Sequence, residues 1–228
     1  MPMWANRAGI PRDSARGCAR LRAQGRRPQI EALLEFVGYS EAWRDLAQGG
    51  VVEAERTDAV LRVALEDTPG GEVVEVAADD HAHAAHLPAD VVRLPRERMA
   101  ELVERIVHKM HLTRVCVIPV GKWRQVFEAV ANGMAQNEKW RAVDSAANVE
   151  LNTRDPLVVQ PADHHTLRDL VAAVLKHGTH PTHGIAMAAM GTPLVIEAMP
   201  AGELAVYAGK ASIAAEVRHL LDQVALKR

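Results

Sequence analysis

Apolar residues recur at helical spacing in four long stretches of the chain. Met99, Leu102, Val103, Ile106, Val107 and Met110 make one stripe, opened by Pro95, with Glu101, Glu104, Arg105 and His108 opposite. That period predicts an amphipathic helix over 96–111. Trp123, Val126, Phe127 and Val130 predict a second helix over about 122–135. Asp163 can cap a third, whose stripe is Leu167, Leu170, Val171, Val174 and Leu175 and which Gly178 ends. Ile213, Val217, Leu220, Leu221 and Val224 predict a last helix over about 211–226.

Short apolar runs between the stripes predict strands. They are Val73–Val76, 90–94, Arg114–Pro119, and the pair Val149–Leu151 and Leu157–Val159, which reads as a hairpin around Asn152–Pro156. Three more, at 184–190, 193–199 and 203–208, are joined only by Gly191-Thr192 and Pro200-Ala201-Gly202. Such short connections serve antiparallel neighbours. The strand–helix–strand order over 90–119 fits a right-handed parallel crossover. Residues 28–50 read as two short helices. The first has Pro28 at its start and Ile30, Leu33, Leu34 and Val37 on one face; Ser40 caps the second, which carries Trp43 and Leu46. Residues 57–66 read as a further helix.

The expected fold class is α+β: an N-terminal α/β region, then a mainly antiparallel sheet with flanking helices. The expected divisions are a basic, disordered arm at 1–27, the α/β region at 28–120 and the α+β region at 121–228. Composition shapes the expected core. Among 228 residues there are four Trp, two Tyr and two Phe, against 38 Ala and 27 Val, so small and branched aliphatics must fill it.

The formal net charge of -2 hides a strong asymmetry. Arg7, Arg12, Arg16, Arg20, Arg22, Arg26 and Arg27 give residues 1–30 a charge of +6, and the rest of the chain carries -8. Seven guanidiniums can bind nucleic-acid phosphates in a salt-dependent way. A solvated tail accounts for them more simply. Cys18 and Cys116 imply no disulfide framework, and Cys116 lies inside an apolar strand. No apolar run reaches membrane-spanning length and no secretory leader is evident, so the expected compartment is the cytoplasm.

Eleven histidines invite a search for metal ligands. The densest group is Asp79-Asp80-His81-Ala82-His83-Ala84-Ala85-His86, directly after a strand. His81, His83 and His86 can converge on one divalent ion such as zinc, with Asp80 as an oxygen ligand. This string is similar to the H-x-H-x-D-H metal motif of the metallo-β-lactamase superfamily, with Ala85 in place of its aspartate. The similarity implies a metal-dependent hydrolase. Other histidine groups are His164-His165, His108 with His111, and His177, His180 and His183 at H-x2-H-x2-H spacing. Near helix ends such residues also serve the helix dipole. Glu197 interrupts the apolar run Leu194–Met199, where strand alternation places it on a solvent or edge face. Signatures for phosphate loops, dinucleotide turns, serine elbows and H-E-x-x-H zinc sites are missing.

The order of elements over 122–226 resembles the roadblock (dynein light chain) family. The segment NVELNTRDPLVVQ is similar to that family's first hairpin, and GIAMAAMGTPLVIEAMPAGELAVYAG to its three-stranded meander. The resemblance implies one antiparallel sheet with helices around it, dimerisation through the sheet or a helix, and regulation of a protein partner, often a small GTPase. It implies no catalytic residue. The functional expectation is therefore an interaction or regulatory protein that homodimerises. The metal-dependent hydrolase is the alternative.

Overall fold

The computed structural model describes residues 34–57, 60–81, 88, 91–141 and 155–226. In chain order the elements are β1 (Leu34–Phe36), α1 (Tyr39–Gln48), β2 (Val51–Arg56), β3 (Val60–Leu65), β4 (Glu72–Ala78), β5 (Val92–Leu94), α2 (Arg96–Lys109), β6 (Val115–Pro119) and β7 (Gly121–Lys122). They continue with α3 (Trp123–Met134), β8 (Leu157–Val159), α4 (His164–His177), β9 (Ile185–Ala189), β10 (Leu194–Met199), β11 (Glu203–Ala208) and α5 (Ala211–Leu226). The fold is α+β, as the period of the apolar positions requires.

Eight strands form the main sheet in the order β1-β8-β6-β9-β10-β11-β4-β5, and β2, β3 and β7 form a small second sheet. Strands from the expected 28–120 and 121–228 regions interleave in the main sheet. Only β4 and β5 pair in parallel among the described strands; the other pairs are antiparallel. The expected meander is present as β9-β10-β11, with Ile196 opposite Met187 on one side and Val206 on the other.

One face of the main sheet carries the four long helices. Val74, Val76, Val115, Val117, Met187, Ile196, Leu204 and Val206 point towards them from the strands. Met99, Leu102, Ile106, Leu167, Val171 and Leu221 answer from α2, α4 and α5. The stripes read from the sequence for α2, α4 and α5 are these buried faces. The opposite face of the sheet packs against α1 and the small sheet. Here Cys116, Ile118, Val158, Ala186, Ala188 and Val195 meet Ala42, Leu46, Leu61 and Val63. The described residues thus form three layers around two apolar seams.

Several local expectations need correction. Residues 34–36 form a strand, not part of a helix, because β1 pairs with β8 from Leu34–Val159 to Phe36–Leu157. Residues 60–65 also form a strand, with Leu61 and Val63 buried and Arg62 exposed between them. Helix α1 starts at Gly38 rather than on a Ser40 cap, and the Tyr39 N–H donates to Asp155 Oδ1 at 2.9 Å. The expected crossover from β5 through α2 to β6 links two strands that run parallel, but it is wide, since β9, β10, β11 and β4 lie between them. The expected partner strand at 149–151 lies outside the described residues. Both edges of β8 are taken, by β1 and β6.

Candidate functional site

The end of β4 carries the first candidate residues. Val74, Val76 and Ala78 alternate into the helix-side core, and the chain then turns at Asp79-Asp80. His81 follows with its side chain 4% exposed and Nε2 2.9 Å from Glu203 Oε1. Asp80 is held from the start of α2. Arg96 Nε donates to both carboxylate oxygens of Asp80, at 2.9 and 3.0 Å. This hydrogen-bonded guanidinium holds the Asp80 carboxyl below its usual range. Arg96 Nη1 also donates to the carbonyls of Leu175 and Pro200. One side chain therefore ties β4, α2, α4 and the β10–β11 turn together. Gly202, at φ +87°, makes the turn possible: a Cβ there would stand 2.6 Å from that of Ala78.

Asp80 and His81 thus already have protein partners. His83 and His86 lie outside the described residues, as do the seven arginines of the arm and Cys18. Among the described residues, no three His, Cys, Asp or Glu side chains are arranged to hold a metal ion. None of the described helices is long and apolar enough to cross a membrane.

A second group lies where the C-terminal end of α2 meets the start of α4. An open cleft of about 480 Å³ is lined there by Glu101, Glu104, Arg105, His108, His164 and Arg168, among others. Its charges are largely paired. Glu101 accepts from Arg98 at 2.9 Å and Arg105 at 2.5 Å, and Arg168 lies 3.3 Å from Glu104. His164 is half-buried, and its Nε2 is fully enclosed without a partner. Burial, and secondly the charge of His108, push its pKa below the ordinary value. His165 is exposed, so the two adjacent rings diverge as helical geometry requires. Asp163 stands at the expected capping position but makes no side-chain cap. It is wholly buried, with Oδ1 on the Lys139 ammonium and Oδ2 unpartnered.

The H-x2-H-x2-H group divides. His177 lies against α3, where a Cβ on Gly133 would stand 3.0 Å from its Cδ2. His180 and His183 pair with each other, their Nδ1 atoms 2.5 Å apart. Glu197 lies on the sheet face away from the helices, as alternation places it, but that face is partly covered. Its carboxylate accepts from Tyr207 Oη at 3.2 Å, and burial raises its pKa. Burial likewise lifts the Cys116 thiol to about 12, which leaves it inert.

Sequence reasoning missed Arg96 and Lys139. Arg96 did leave a signal. A cation in the first turn of a helix opposes the helix dipole, so such an arginine needs strong partners elsewhere. Lys139 left none, because its buried partner is 24 residues away. No family model, curated protein or solved structure matches the chain.

Proposed function

We propose that the chain is an interaction module that pairs with a second copy of itself through the open end of the outer sheet face. The observation that carries this reading is Val73. It lies within β4, hydrogen-bonded in register opposite Tyr207, yet is 48% exposed. The small sheet packs over β10 and β11 through β3, while at β4 the outward Val73 and Glu75 are both exposed. Val73, Ala205 and Tyr207 make an apolar strip there. Glu75, Arg93 and Glu203, the last already bonded to His81, flank it on the same face. A two-fold axis sets a patch against itself, so the Val73 strip of one copy buries against that of the other. This is the assembly that the roadblock resemblance implies. A regulatory role would act through it.

Sedimentation equilibrium of the full chain tests the proposal. The wild type is expected to dimerise, and Val73→Glu to be monomeric with unchanged circular dichroism and melting temperature. A wild type that stays monomeric at its highest soluble concentration would overturn the reading, as would a Val73→Glu dimer of unaltered affinity.

A further inference from the structure

The segment His180-Pro181-Thr182-His183 closes on itself. His183 N–H donates to the His180 carbonyl at 3.2 Å, the bond of a four-residue turn. Pro181 occupies its second position, where a fixed φ favours the turn. The turn sets the first and last side chains together. Their rings meet edge to face with centroids 3.9 Å apart. Thr182 Oγ1 lies 3.1 Å from His180 Nδ1 and 3.3 Å from His183 Nδ1. The two ring nitrogens and one hydroxyl oxygen therefore converge on one point. His183 is held on its other side by β7. Gly121, at φ +82°, lies so close that a Cβ would stand 2.8 Å from the ring's Cδ2.

We propose that this turn is a two-histidine site for a transition-metal ion, with Cu²⁺ as its best occupant. The long contact from the Thr182 N–H, at 3.4 Å, marks His180 Nδ1 as an unprotonated nitrogen, and a metal ion would displace that contact from its lone pair. With their Nδ1 atoms 2.5 Å apart, the two rings cannot both carry a hydrogen there. A hydrogen on His183 Nδ1 moves to Nε2 by tautomerisation, which frees the second lone pair and leaves the ring neutral. Imidazole nitrogens suit copper and nickel, and copper leads the divalent series. With metal–nitrogen bonds of about 2.0 Å, two cis imidazoles stand about 2.8 Å apart, so the pair needs to open only slightly. A tetrahedral ion needs a wider separation, about 3.3 Å with the same bonds.

Lys122 and Arg62 place positive charge near His183 and repel a metal cation. Water completes the coordination sphere, since His177 lies elsewhere. The site is therefore weak and exchangeable.

The test is a Cu²⁺ titration of the full, chelator-treated chain, followed by histidine ring signals in ¹H–¹³C spectra and by calorimetry. Signals of His180 and His183 should broaden first. His180→Ala and His183→Ala should each weaken binding at this site by about tenfold or more. Lys122→Gln should tighten it, and His83→Ala with His86→Ala should leave it unchanged. Ring signals of His180 and His183 that stay sharp at equimolar copper would overturn the proposal. So would unchanged copper affinity in the double variant His180→Ala, His183→Ala.

Discussion

The two faces of the main sheet are built on different terms. Four amphipathic helices cover one, and the residues that meet there are almost all aliphatic or methionine. The other is covered by α1 and a three-stranded sheet, and polar groups intrude: Glu197 with Tyr207, and the His180-His183 turn beside Gly121. A helix brings its own hydrogen bonds and needs only a stripe of apolar residues to dock. A small sheet needs partner strands, and its edges and turns keep polar groups close to the seam. On the helix side, Asp163 and Thr166 are buried polar residues at the start of α4.

Truncation on each face is the strongest way to break that comparison. Leu102 on α2 and Leu61 on β3 are both buried, one in the helix-side core and the other in the outer seam. Leu102→Ala should cost about 2–5 kcal/mol, because four packed helices cannot collapse into the void. Leu61→Ala should fall below it, since a small sheet can shift to close the gap. Urea unfolding of both variants measures the difference. An outer-face cost equal to or above the helix-face cost would refute the contrast.

A glycine gives a smaller but sharper test, because local propensity and packing predict opposite signs. Gly133 lies inside α3, where alanine normally favours the helix by roughly 1 kcal/mol. Yet a Cβ at Gly133 would stand 2.3 Å from the Cβ of Ala173 on α4. Gly133→Ala should therefore destabilise by about 1–3 kcal/mol through overpacking. Thermal melting decides between the signs, and a stabilised variant would mean that α3 and α4 are not in such close contact.

The same contrast explains what the sequence made legible. The helices over 96–109, 164–177 and 211–226 were readable because each carries its packing face as a local repeat. The β9-β10-β11 meander was readable because its connections are too short for any other arrangement. Misreadings fell on β1 and β3, whose pairing is distant or weakly marked. Leu34 and Val37 satisfy helical spacing, but β1 gains its hydrogen bonds from β8, more than a hundred residues away. At β3 a signal was present: Leu61 and Val63 alternate with Arg62. The site residues were only partly legible. The ring pair at His180 and His183 follows from a local turn. The ties on Asp80 and His81 come from Arg96 and Glu203, which no local pattern connects to them.

Titration separates the faces with the smallest expected effect. On the outer face, burial raises the pKa of Glu197 above its ordinary 4.5. Its folded form therefore holds a proton more tightly than its unfolded form. Stability from this group is full below the ordinary value and is lost as pH rises through the raised one. On the helix side, the depressed pKa of His164 acts in the opposite sense, with stability lost as pH falls below its ordinary 6.5. Glu197→Gln keeps an oxygen to accept from Tyr207 but removes the buried charge. Its melting temperature should exceed that of the wild type at pH 7, and the gap should narrow as pH falls towards 4.5. A gap that is constant with pH would show that Glu197 is as well solvated in the fold as in the unfolded chain, and that the outer seam is open to water along β10.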